Sequence, residues 1–138
     1  MAGSMSEILS FIRDNRQFTV MSHTSPDGDT LGSARGLVHM LRAMGKEAEA
    51  VCSDPVPGIY SFLPGADEVK IGGEGIGYPA VIAVDCAEKC RFGKVAKFFE
   101  GAETTANVDH HGTNDMYAAA NWMEETAACG ELIYRLIR

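Results

Sequence analysis

Positive charge is scarce in this 138-residue chain: 12 Lys and Arg stand against 19 Asp and Glu, for a net charge of −7. Duplex nucleic acid is held by a basic face, so this balance argues against that kind of partner. It does not argue against a phosphate substrate, because bound cations can supply the missing charge. No apolar run approaches the ~18 residues of a membrane span. No basic stretch followed by an apolar one marks a signal peptide. Internal repeats and low-complexity segments are also missing. Cysteine is limited to Cys52, Cys86, Cys90 and Cys129. Nothing else points to secretion, so a cytoplasmic protein without a disulfide framework is expected. The plain reading of the four is free thiols near buried strands. The alternative joins Cys86 and Cys90 to a His pair in a zinc site, against which their loose spacing counts.

What remains is ordinary for a globular domain: 46% hydrophobic and 22% charged residues. The length fits one domain. Met1-Ala2-Gly3-Ser4, ahead of Met5, reads as an expression scar and is left out of the expected fold.

Along the chain, short apolar runs alternate with helical patterns. A helix is expected over 7–15, a strand over 18–21, and a loop opened by Pro26 and Gly28. The next helix, capped by Asp29 or Thr30, runs to Gly45. A second strand covers 47–52 and a short one 69–71, followed by a Gly-rich turn over 72–77. Ala80-Val81-Ile82-Ala83-Val84 is continuously apolar, as a strand buried on both faces requires. A helix over 92–99, a strand over 104–108, an extended piece over 117–122 and a helix over 126–137 complete the pattern. This alternation predicts an α/β, three-layer domain with a mainly parallel β-sheet flanked by helices.

Parallel sheets bind ligands at the carboxyl ends of their strands. The loops expected at that rim carry His23, Asp27 and Asp29, then Asp85, then Asp109, His110 and His111. Carboxylate and imidazole together suit hard divalent ions and lean toward manganese. A turn or helix cap is the bland reading of the first loop, and a cap or a bridging ligand are both open for Asp85. Adjacent His110 and His111 point in different directions, so one can bind metal while the other faces substrate. Asp109 can fix a ring orientation. His39 lies mid-helix with no acid nearby and is read as structural. Together the three loops offer enough ligands for two ions, which would neutralise phosphate charge and activate a water.

His23-x-x-Pro26-Asp27-Gly28-Asp29 with Leu31-Gly32-Ser33, then Val84-Asp85, then Asn107-x-Asp109-His110-His111 resemble the RecJ-like DHH phosphoesterases. Tyr60-x-Phe62-Leu63-Pro64-Gly65 and Gly130-Glu131-Leu132 are similar to the branch of oligoribonucleases that also dephosphorylate 3′-phosphoadenosine 5′-phosphate. The resemblance implies that His23, Asp27 and Asp85 hold one ion and Asp29, Asp85 and His110 the other. Asp85 would bridge, His111 would contact the phosphate and Asp109 would support it. It implies manganese, with magnesium as a substitute, and a short oligonucleotide or nucleotide phosphate as substrate. It also implies a later acidic ligand and a C-terminal substrate-binding domain, neither of which residues 112–138 supply. Residues 5–138 therefore read as the N-terminal part of the catalytic domain, truncated naturally or deliberately before its last elements. Weak or absent turnover is expected of such a piece, with self-association through an uncovered sheet edge or the last helix. Two alternatives stay open: a module that binds metal or nucleotide without turnover, and a pyrophosphatase of the same superfamily.

Overall fold

A computed structural model describes residues 2–63 and 65–137, without the side chains of Ala2, Ala66 and Cys90. Met1 of the expected scar, Pro64 of the Phe62–Gly65 motif, the Cys90 side chain of the zinc alternative and Arg138 lie outside the described residues.

The elements in chain order are β1 (Ala2–Gly3), α1 (Met5–Asp14), β2 (Gln17–Met21), α2 (Gly28–Ala43), β3 (Glu47–Cys52), β4 (Lys70–Ile71), β5 (Ala80–Val84), α3 (Ala96–Glu100), β6 (Thr104–Asp109), β7 (Ala120–Met123) and α4 (Cys129–Ile137). They form a seven-stranded sheet in the order β1-β7-β6-β5-β2-β3-β4. Every pairing is parallel except that of β1 with β7.

Side-chain alternation explains the layers. In β5, Ala80, Ile82 and Val84 face a core shared with Ile8, Phe11 and Ile12 of α1, with Leu37, Val38 and Leu41 of α2, and with Leu132 and Ile133 of α4. Val81 and Ala83 point the other way, onto Phe92, Val95 and Phe99. A strand covered on both faces must be apolar throughout, which is why the run 80–84 carries no polar residue.

The strand order has one functional consequence. From β2 the chain builds outward through β3 and β4, and from β5 it builds the opposite way through β6 and β7. Between β2 and β5 lies the switch point of a doubly wound sheet, where diverging loops leave a crevice at the carboxyl ends.

Several local expectations are corrected. Asp27, not Asp29 or Thr30, caps α2, its Oδ1 accepting the Thr30 N–H at 2.9 Å. The helix expected over 92–99 is broken into a turn at Gly93–Val95 and the short α3. Gly93 lies at φ +62°, and a Cβ there would sit 2.6 Å from both Ser53 Oγ and Thr24 Cγ2. The last helix begins at Cys129 rather than near 126. Residues set aside as a scar take part in the fold: Ala2 and Gly3 pair with Met123 and Trp122, and Ser4 caps α1. This pairing covers the outer edge of β7. Among the described residues no helix is long and apolar enough to cross a membrane.

Gly93→Ala combines a disfavoured φ with overpacking, and a loss of about 1–3 kcal/mol is expected. Urea unfolding checks it, and an unchanged midpoint would contradict the close packing of the 24, 53 and 93 segments.

Candidate metal centre

Loops after β2, β5 and β6 bring all six proposed residues to one cleft of ≈ 470 Å³. His23, Asp27, Asp29, Asp85, His110 and His111 all line it. Each is placed by a local feature of the chain.

His23 is buried, and its Nδ1 lies 2.6 Å from the Thr24 carbonyl. A carbonyl only accepts, so Nδ1 carries the proton and Nε2 is left facing Asp85 Oδ2 at 3.6 Å. His110 repeats the arrangement. Its Nδ1 donates to the Thr126 carbonyl at 3.0 Å, and Nε2 lies 3.0 Å from Asp85 Oδ1 and 3.4 Å from Asp29 Oδ2. Metal-ligating imidazoles are commonly oriented by a donated bond of this kind.

Asp85 follows β5 directly with φ +57°, a left-handed conformation that Asp tolerates better than most residues. Its N–H donates to Val108 O at 2.9 Å. Asn107 Nδ2 donates to the carbonyls of Ala83 and Cys86, on either side of it. The turn drives the carboxylate inward until the residue is 4% exposed. Among the described residues, Asp85 Oδ1 meets only the His110 and His111 rings, and no backbone or amide donor reaches it.

Asp27 and Asp29 are both partly committed to backbone. Asp27 caps α2 through Oδ1. Asp29 accepts the N–H groups of Cys129 and Gly130, both at 2.9 Å, at the positive end of α4. His111 differs from His110: its ring is partly exposed, and Nδ1 lies 2.6 Å from Asp109 Oδ1.

The ionisable groups respond to this crowding. The facing Asp85 carboxylate raises His23 above the ordinary imidazole value of 6.5, and burial opposes it only in part. Burial pulls His110 down, but the Thr126 carbonyl and the charges of Asp85, Asp29 and Asp109 outweigh it, and His110 is also raised. Burial raises the Asp85 carboxyl, with the neighbouring Asp29 and Asp27 adding to it against His23 and His110. Such a cluster holds protons where a divalent ion would replace them.

Two donor groups have atoms within 4.8 Å of one another: His23, Asp27 and Asp85, and Asp85, Asp109, His110 and His111. They meet at Asp85. The buried Asp85 carboxylate and the two presented Nε2 atoms fit a hard or borderline divalent ion. The second group includes Asp109, the residue expected from the sequence to orient a ring. Both of its oxygens accept hydrogen bonds, one from His111 Nδ1 at 2.6 Å and the other from Asn114 Nδ2 at 2.9 Å. The zinc alternative is disfavoured. Burial pushes the Cys86 thiol up to about 11, and zinc binds the thiolate.

Some of the cleft was not visible in the sequence. Arg91, Glu88 and Thr113 line it, with Ala127 and Ala128 leading into α4. A lone Arg in an irregular segment gives no periodic signal. Asn114, three residues past His111, was detectable only as a turn former.

Residues 17–138 match the family described as "DHH family, N-terminal domain". The chain is 37% identical over 120 residues to a Thermus thermophilus protein named "Bifunctional oligoribonuclease and PAP phosphatase NrnA", spanning 86% of this chain and 35% of that one. A Mycoplasma genitalium protein of the same name is 27% identical over 138 residues, spanning 97% and 43%. The crystal structure of an exopolyphosphatase-related protein from Bacteroides fragilis superposes with a TM-score of 0.85 at 20% identity, over 96% of this chain and 42% of that one. The last likeness shows the fold. The chain spans less than half the length of each of these proteins.

The raised imidazoles set the direction of a pH test. In chelator, the stability they lend is full below 6.5 and is lost as pH rises through their raised values. Metal needs the neutral rings, so the melting temperature gained from Mn²⁺ grows between about pH 6 and about pH 8. Thermal melts in Mn²⁺ and in chelator check this, and a gain independent of pH would contradict it.

Proposed function

Because the chain belongs to the DHH family, we propose that it is the catalytic domain of a metal-dependent phosphoesterase acting on short oligonucleotides or nucleotide phosphates. The observation that carries the proposal is the buried Asp85 carboxylate between the presented Nε2 atoms of His23 and His110. The names of the Thermus and Mycoplasma relatives support the substrate class: phosphodiester bonds of oligoribonucleotides and the phosphomonoester of PAP.

His23, Asp27 and Asp85 would hold one ion, and Asp29, Asp85 and His110 the other. Manganese is the ion we propose, with magnesium as a substitute. Bound ions supply positive charge and an acidified water, chemistry this acidic chain cannot provide alone. His111 presents Nε2 to the substrate phosphate, since Nδ1 is held by Asp109. Arg91, on the cleft wall, adds a fixed positive charge for a phosphate group. The proposal extends to a cytoplasmic protein whose residues 5–138 form the N-terminal part of a longer enzyme with a separate substrate-binding domain.

One observation favours a reading without turnover for this polypeptide. Both Asp29 oxygens are engaged by the start of α4, so the second ion must compete for them.

Mn²⁺-dependent hydrolysis of a dinucleotide, beside PAP and inorganic pyrophosphate, tests the proposal. Asp85→Asn keeps the shape but loses the charge, and kcat on the dinucleotide falls at least about 10²-fold, the scale of one lost charge-stabilising group. Full activity in Asp85→Asn would sink the assignment, and preference for pyrophosphate would move it to that branch. Self-association is expected through α4, where Tyr134 is 61% and Ile137 50% exposed. Light scattering showing a strict monomer at high concentration would contradict that part.

A further inference from the structure

Behind the cleft, a set of polar groups spend their hydrogen bonds on one another and lead toward it. Asn114 is the clearest. It lies in the loop after β6, between His111 and the left-handed Met116. Its amide Nδ2 lies 2.9 Å from Asp109 Oδ2 and 2.6 Å from Asn107 Oδ1. Its Oδ1 accepts the Met116 N–H at 2.7 Å.

The network permits one assignment of donors and acceptors. A carboxylate oxygen accepts, so the atom of Asn114 facing Asp109 is the NH₂. Asn107 spends both of its own N–H groups on the Ala83 and Cys86 carbonyls, so it offers its oxygen to Asn114. Asp109 is 0% exposed and Asn107 1% exposed, so neither can exchange these partners for water. The other Asp109 oxygen lies 2.6 Å from His111 Nδ1. A continuous chain therefore runs from His111 through Asp109, Asn114 and Asn107 to the two carbonyls that flank Asp85.

We infer that Asn114 is a positioning residue that fixes His111 with its proton on Nδ1 and ties that ring to the turn carrying Asp85. Resting on the functional reading above, it sets the distance between the phosphate-facing imidazole and the carboxylate that would bridge the ions. Without the Asn114 donor, Asp109 keeps a buried charge with one partner fewer and is free to rotate, and the His111 ring turns with it. Burial alone does not explain the residue. A purely structural Asn would need only its oxygen, which holds the Met116 turn.

That difference sets the test. Asn114→Asp keeps the oxygen for Met116 N–H but removes both donors. The full chain, labelled with ¹⁵N-histidine, gives the tautomer of each ring by long-range ¹H–¹⁵N spectra, with His111→Gln assigning the signal. The Nδ1–H form of His111 is expected to dominate in the wild type and to fall below half in Asn114→Asp. Dinucleotide kcat with Mn²⁺ falls about 10–100-fold, the scale for loss of a group orienting a site residue, with KM changed less than about threefold. Should Asn114→Asp not fold, Asn114→Ser, which keeps a single donor, is expected to give an intermediate tautomer ratio. An unmoved His111 tautomer in a folded variant overturns the inference. Loss of the tautomer in a chain that hydrolyses nothing upholds the positioning role and counts against the functional reading instead.

Discussion

A carboxylate buried at the end of a buried strand is the constraint around which this molecule is arranged. Removing an ionised carboxylate from water costs several kcal/mol unless partners compensate. Asp85 sits at the switch point between β2 and β5, with a left-handed backbone that turns it inward. Two imidazoles face it from the flanking strands' loops. Each is anchored through Nδ1 to a backbone carbonyl, so neither can turn its other nitrogen away. Protons hold this cluster together in the absence of a cation, and a divalent ion would do so better.

The surrounding structure keeps that arrangement in place. Asn107 bolts the Asp85 turn to β6, and Asp29 joins the first turn of α2 to the start of α4. The cleft is thus closed on one side by a helix whose N-terminal N–H groups already hold a carboxylate. Loss of charge at Asp29 would loosen the α2–α4 contact as well as the cleft, so its structural and chemical roles cannot be separated by truncation to alanine.

Much of this was legible in the residues. The apolar run 80–84 announced a strand covered on both faces. The acids and histidines that follow strands announced a shared rim, and the ordered motifs named the family. Other features were not legible, for physical reasons. Ala2 and Gly3 carry no strand signal, because two residues gain their pairing from the exposed edge of β7 rather than from propensity. Gly93 fits a helical pattern until Thr24 and Ser53 are seen to leave no room for a Cβ. Asp27 and Asp29 differ by two positions, and which one caps α2 depends on the exit angle of the loop. The tie from Asp29 to residues 129 and 130 spans a hundred residues of chain, beyond any local pattern.

Anomalous scattering from crystals soaked in Mn²⁺ tests the central claim most directly. Metal binding at this cluster predicts two peaks, one beside His23 and one beside His110, both adjoining the Asp85 carboxylate. Peaks elsewhere, or an Asp85 carboxylate that takes no ion at full occupancy of the soak, would contradict it.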